Sequence, residues 1–258
     1  MNTPTLPRNP ARPLSIVTGS SRGLGRAVVE QLLARGHHVL ALARAKTELP
    51  VPPGATLEAW QVDLADAAPV AERLAAWLQA QDAAACSAVN LINNAGVVST
   101  PAPLAQGDLA ELSNALRVGL EAPMLLSAAF LRATAGWGCP RKLMLVSSGL
   151  GRRAMAGSAS YCAAKAGMDH LARALALEEA TQPNGARVVS LAPGVIDTDM
   201  QVQLRSADAA RFPERARFQG LKDGGQLDSP HEAAAKLLRA LDRADYGSNP
   251  VSDVRELA

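Results

Sequence analysis

The chain has 258 residues, a net charge of +2 and three cysteines, and it is 48% apolar but only 3% aromatic. A near-neutral balance without a Lys/Arg run argues against a nucleic-acid footprint. The scattered Cys86, Cys139 and Cys162 argue against a disulfide framework or a zinc site, and no metal is expected. No apolar run approaches the roughly 20 residues of a membrane span, and MNTPTLPRNPARP lacks the apolar segment of a secretory signal. A cytoplasmic protein with reduced thiols is therefore expected, with neither membrane nor nucleic acid as partner.

Four prolines within residues 1–13 predict a disordered arm, with a single domain over residues 14–258. Leu14 to Thr18 reads as a strand, Gly23 to Arg35 as a helix ended by Gly36, and His38 to Ala43 and Leu57 to Val62 as two further strands. Ala67 to Ala80 is helical, with Leu74, Trp77 and Leu78 on one face. Val89 to Asn93 is a strand, and Leu109 to Thr134 a long helical stretch with a potential break at Pro123. A fifth strand, Lys142 to Ser147, precedes a long helix over Ala159 to Ala180 and a strand over Arg187 to Ala192. Residues 201–225 are less regular and fall in a region, about 197–228, expected to form a substrate lid. Ser229-Pro230-His231-Glu232 is a capping box with proline at the first helical position. Val251 to Val254 is a last short strand. Strands alternating with helices of this length predict an α/β fold: a Rossmann-type, doubly wound parallel sheet in a three-layer α/β/α arrangement, with ligands at the carboxyl ends of the strands.

Thr18-Gly19-Ser20-Ser21-Arg22-Gly23-Leu24-Gly25 joins the first strand to the first helix. Glycines there let backbone approach a pyrophosphate at a helix N-terminus. An acid at the end of the second strand would hold a ribose hydroxyl, whereas this chain has Ala43-Arg44-Ala45-Lys46. A guanidinium suits a phosphate, so Arg44 and Arg22 favour NADPH; the competing reading is two solvated arginines. Asp63 either accepts from an adenine amine or caps the next helix. Tyr161 and Lys165 stand four apart on one helical face. A lysine cation beside a phenol favours proton loss, which suits general-acid chemistry. Ser148, beyond the fifth strand, has a hydroxyl suited to a carbonyl oxygen.

In order and spacing, TGSSRGLG, Asp63, Asn93-Asn94-Ala95-Gly96, Ser148, YCAAK at 161–165 and Pro193-Gly194 resemble the short-chain dehydrogenase/reductase family over about residues 14–200. The resemblance implies that Tyr161 donates a proton while hydride comes from the nicotinamide, that Lys165 also binds the nicotinamide ribose, and that Ser148 orients the carbonyl. It implies a cofactor site made of Gly19, Ser21, Arg22, Gly23, Leu24, Gly25, Arg44, Asp63, Leu64, Asn94, Ala95, Gly96, Pro193, Gly194, Ile196 and Thr198. Downstream, LALEEA at 175–180, LAPGVIDTDMQ at 191–201, SPHEAAAKLL at 229–238 and the NPVSDV ending are similar to the sepiapterin reductase and bacterial benzil reductase group. That likeness implies Asp253 as a substrate anchor; the alternative is a solvated terminal carboxylate. Met200 and an apolar set of Val97, Val98, Leu150, Met155, Phe212 and Phe218 are expected around a small carbonyl substrate. The family's relay asparagine is replaced by Gly119, and Asn114 reads as lying at the wrong place on the helix. A reductase is the leading reading; a nucleotide-binding sensor or scaffold with weak turnover is the alternative. Pairing of the two long helices into a homodimer or tetramer is what the family likeness implies.

Overall fold

Alternation along the strands sorts side chains onto the two faces of a sheet. In β1 (Arg12–Thr18), Leu14 and Ile16 enter one core and Val17 the other; in β2 (His38–Ala43), Leu40 and Leu42 part in the same way from Val39 and Ala41. Near-continuous apolar runs of this kind need cover on both sides. The structure, a computed structural model describing residues 11–257, supplies it. Helices α1 (Gly23–Ala34) and α8 (Pro230–Asp242) pack together on one face. Helices α2 (Ala67–Gln79), α4 (Ala122–Thr134) and α5 (Ala159–Glu179) cover the other.

The remaining strands are β3 (Thr56–Gln61), β4 (Cys86–Asn93), β5 (Arg141–Val146), β6 (Arg187–Ala192) and β7 (Val251–Asp253). All pair in parallel, in the order β3-β2-β1-β4-β5-β6-β7. Chain order reverses beside β1, which pairs with β2 on one side and β4 on the other. At such a switch point the connections leave in opposite directions and open a crevice above the strand ends. This is the doubly wound Rossmann-type sheet expected from the alternation of elements.

Most bounds fall within a residue of the sequence reading, and four departures are larger. The first strand begins at Arg12, inside the segment read as an arm, because Arg12 and Pro13 pair with Cys86 and Ala88 of β4 across a register shift that tolerates a residue without an N–H. Residues 1–10 of that segment lie outside the described residues. The same pairing starts β4 at Cys86, three residues early. The stretch 109–134 is helical throughout but divided: α3 (Leu109–Leu116) passes into a π-helical turn, Arg117–Glu121, before α4. The break precedes Pro123, whose ring would clash with the carbonyl four residues back, at Gly119. Finally, the irregular region 201–225 holds two helices, α6 (Asp199–Arg205) and α7 (Arg215–Asp223). Asp197 ties them down through Arg205 at 3.5 Å and Lys222 at 2.5 Å. Among the described residues, no helix is long and apolar enough to cross a membrane.

Candidate active site

The strand ends are locked to one another before any ligand is considered. Thr18 Oγ1 at the end of β1 accepts from the Asn94 and Ala95 amides, each at 2.9 Å, and the Asn94 side chain donates back to the Thr18 carbonyl at 3.0 Å. The sequence reading placed Thr18 at the end of the first strand and the start of the glycine motif, without a role for its side chain. Its buried hydroxyl fixes the floor of the crevice. Ser20 hydrogen-bonds Thr47 at 2.8 Å and holds the glycine turn to the segment after β2.

Above this floor lies a cavity of about 1030 Å³. Its wall includes every residue that the sequence nominated for cofactor and catalysis, with Met200 and Asp253 from the substrate set. Three features suit the entry end to a dinucleotide. Gly19 and Gly23 have φ of +68° and +53°, conformations that side chains disfavour. A Cβ on Gly25 would collide with the Gly19 carbonyl oxygen, so only glycine leaves room for close approach. No side chain caps the N-terminus of α1, whose first turn holds no acid, so its amides face the cavity with a positive dipole end. Arg22 and Arg44 border this end, both exposed; Arg22 pairs with Asp199 of α6 at 2.9 Å. Asp63 also lines the cavity, while one of its oxygens accepts from the Ala65 amide at 2.9 Å, so it does cap the turn that leads into α2.

At the other end stand Ser148, Tyr161 and Lys165. Ser148 follows β5 and opens a short helical turn, accepting from the Leu150 amide at 3.2 Å. Lys165 is buried, its ammonium donating to the Val146 carbonyl at 2.7 Å and lying 5.6 Å from the Tyr161 ring centre. A Cβ on Gly96 would stand 3.7 Å from that nitrogen, an ordinary van der Waals contact.

The electrostatics differ from the simple expectation. Burial pushes the Tyr161 phenol up to about 12, against the downward pull of its hydrogen bond with Ser148. Burial lowers Lys165 to about 8, with Asp169 pulling it upward. Desolvation therefore outweighs the lysine's help to the phenolate. At neutral pH the pair is a protonated phenol beside an ammonium, which is the state a proton donor requires. The chain's other tyrosine, Tyr246, is buried and donates to the Leu143 carbonyl at 2.9 Å, a structural role.

A family model described as short chain dehydrogenase matches residues 14–209. The chain belongs to the short-chain dehydrogenase/reductase family. It is 32% identical over 243 residues to a benzil reductase ((S)-benzoin forming) of Bacillus subtilis (strain 168), covering 94% of this chain and 98% of that one. It is likewise 32% identical to a sepiapterin reductase of Rattus norvegicus, over 94% of this chain and 96% of the relative. Among solved structures, a putative NAD(P) dependent gluconate 5-dehydrogenase of Beutenbergia cavernae, described with bound NADP at low occupancy, superposes with a TM-score of 0.76 at 29% identity, covering 95% of each chain. This chain is thus an oxidoreductase of the short-chain type.

Three positions of this chain bear on the sequence reading. Asn114, judged misplaced, lines the cavity, together with Glu111 and Val118 on the same helical face. Their spacing of three and four residues was the available signal. Gly119 is buried in the π-helical turn. Asp253 reaches the cavity wall but is 2% exposed, and both oxygens are held by Arg255 at 2.8 and 2.6 Å. It is therefore not a solvated terminal carboxylate. Burial opposes its ionisation, but Arg255 outweighs that and keeps it below the usual carboxylate range.

The substrate end is also less apolar than expected. Val97, Val98, Leu150, Met200 and Phe218 do line it. Phe212 and Met155 instead form a buried cluster with Leu204 of α6 and Phe218 of α7, Phe212 stacking on Phe218 with ring centres 5.8 Å apart. Arg153, Arg217 and Arg255 join the wall and were not foreseen.

Proposed function

We propose that the protein reduces a small ketone or vicinal diketone to an alcohol at the expense of NADPH. The observation that carries this reading is the placing of Ser148, Tyr161 and Lys165 on one wall of a cavity whose far end is a glycine-lined helix N-terminus flanked by Arg22 and Arg44. Bound there, the nicotinamide nucleotide would supply a hydride to the carbonyl carbon. The chain's own groups supply the rest. Ser148 donates to the carbonyl oxygen and orients it. Tyr161 passes its proton to that oxygen as charge develops there. Lys165 remains positive below about pH 8 and favours the phenolate left behind.

Arg22 and Arg44 support NADPH over NADH, because the extra phosphate of NADPH matches guanidinium geometry. The relatives described as benzil and sepiapterin reductases support a ketone or diketone substrate. Exposed Leu109, Met124 and Leu177 on α3, α4 and α5 support pairing of two copies through these helices. One observation favours a second reading, a nucleotide-binding sensor with weak turnover: Gly119 offers no side chain to a proton relay.

The test is the loss of NADPH absorbance with benzil, sepiapterin, an aliphatic 1,2-diketone and an aliphatic aldehyde, with NADH as control. Turnover of a ketone, faster with NADPH, is the expected result. Tight NADPH binding without turnover of any carbonyl would leave the sensor.

A further inference from the structure

Asp169 lies one helical turn beyond Lys165 on α5 and is 2% exposed. A buried carboxylate needs hydrogen bonds and a cation to remain charged, and this one has both. Its Oδ1 accepts from Ser147 at 2.6 Å and from Ser190 at 2.7 Å, the first adjacent to Ser148 beyond β5, the second in β6. Its Oδ2 faces Arg152 Nε at 3.3 Å. Arg152 in turn donates to the Ser252 carbonyl at 2.8 Å and stands 3.9 Å from Asp253, which Arg255 clamps. The turn after Ser148 is fitted to this carboxylate: a Cβ on Gly151 would sit 2.7 Å from Oδ2 and 2.9 Å from the Lys165 carbonyl.

We infer that Asp169 is a positioning residue for the proton-donating pair, fixing Ser148 against α5 through Ser147 and keeping Lys165 charged. The second half of this statement rests on the role proposed above for Lys165. The charged and titratable groups around the pair are Tyr161 on α5, Arg152 from the turn after β5, and Asp253 and Arg255 at the C-terminal strand. Asp169 acts on Lys165 through its charge, because the carboxylate attracts a proton to the lysine. A purely structural carboxylate would hold the turn but leave the lysine's titration alone.

The test follows Lys165 directly in the cofactor-free protein. The chain has five lysines, so ε-¹³C-labelled lysine gives a spectrum simple enough to assign with Lys165→Arg. The parent midpoint is expected at about 8. Asp169→Asn keeps the acceptor and removes the charge, and its midpoint is expected to fall by about one pH unit. The alkaline limb of the turnover profile should move the same way. A Lys165 midpoint in Asp169→Asn equal to the parent's overturns the inference, whatever the turnover. If Asp169→Asn does not fold, Asp169→Ser decides in its place: a lowered midpoint supports the inference and one equal to the parent's overturns it. Midpoints that move as stated in a protein that reduces no carbonyl would sustain the charge coupling and count against the reductase reading instead.

Discussion

Gly119 lies against Ala164: a Cβ built on the glycine would stand 3.0 Å from the alanine's Cβ. The π-helical turn thus rests on the helix that carries Lys165, with Ala164 its immediate neighbour and itself buried. Contact this close leaves no space for a side chain without movement of α5 or of the turn. Gly119→Asn is therefore expected to destabilise the fold by about 1–3 kcal/mol through overpacking, and not to raise turnover. Urea unfolding checks the first part and NADPH oxidation the second. A stable variant with faster turnover would show that the glycine had cost the enzyme its relay.

Arg44 is exposed at the nucleotide end of the cavity, while Arg22 is engaged with Asp199. Hydrogen bonds to a charged group are worth about 1.5–3 kcal/mol. Arg44→Ala should then weaken NADPH binding roughly tenfold or more and leave NADH unchanged. Arg22→Ala should do less, because its guanidinium is already occupied by an exposed ion pair with Asp199. Fluorescence titration with each nucleotide measures both.

The depressed value of Lys165 has a sign that stability can report. Between about 8, its folded value, and its ordinary 10.5, the unfolded chain binds the extra proton. Stability from this group therefore rises with pH through that window, and is absent below about 8, where the buried charge is fully present. Lys165→Met has no such charge. Its stability relative to the parent should be greatest near neutral pH and shrink as pH climbs toward 10.5. Thermal unfolding of both proteins across this range is the measurement.

Ser229 Oγ accepts from the Glu232 amide at 3.2 Å, and the Glu232 carboxylate accepts from the Ser229 amide at 2.8 Å. This reciprocal cap starts α8, which packs on α1. Ser229→Ala should cost about 1 kcal/mol, seen as a lower urea midpoint, without change in nucleotide affinity.

The features legible in the sequence are those written in local pattern. The glycine turn, the Ser229 capping box and the Tyr161–Lys165 spacing each concern residues a few positions apart, and each fell where expected. β2 and β6 were bounded without error because their apolar runs end abruptly. What escaped depends on distant partners. Arg12 joins β1 only because Cys86 comes to lie beside it. Asp253 is spoken for by Arg255, and Asp169 meets Ser147, Ser190 and Arg152 from three other elements. The balance between burial and charge at Tyr161 also depends on the depth of the cavity, which spacing alone does not encode. Asn114, read as lying at the wrong place on the helix for a relay, does line the cavity, ahead of the π-helical turn at 117–121.

The most direct test of the proton-donor role is Tyr161→Phe, assayed with NADPH and the best ketone of the panel beside nucleotide binding. General-acid catalysis is worth roughly 10²–10⁴-fold, so turnover should fall by that factor while the NADPH Kd stays within about twofold. Turnover within a few-fold of the parent would contradict the assignment of Tyr161 and, with it, the catalytic reading of the site.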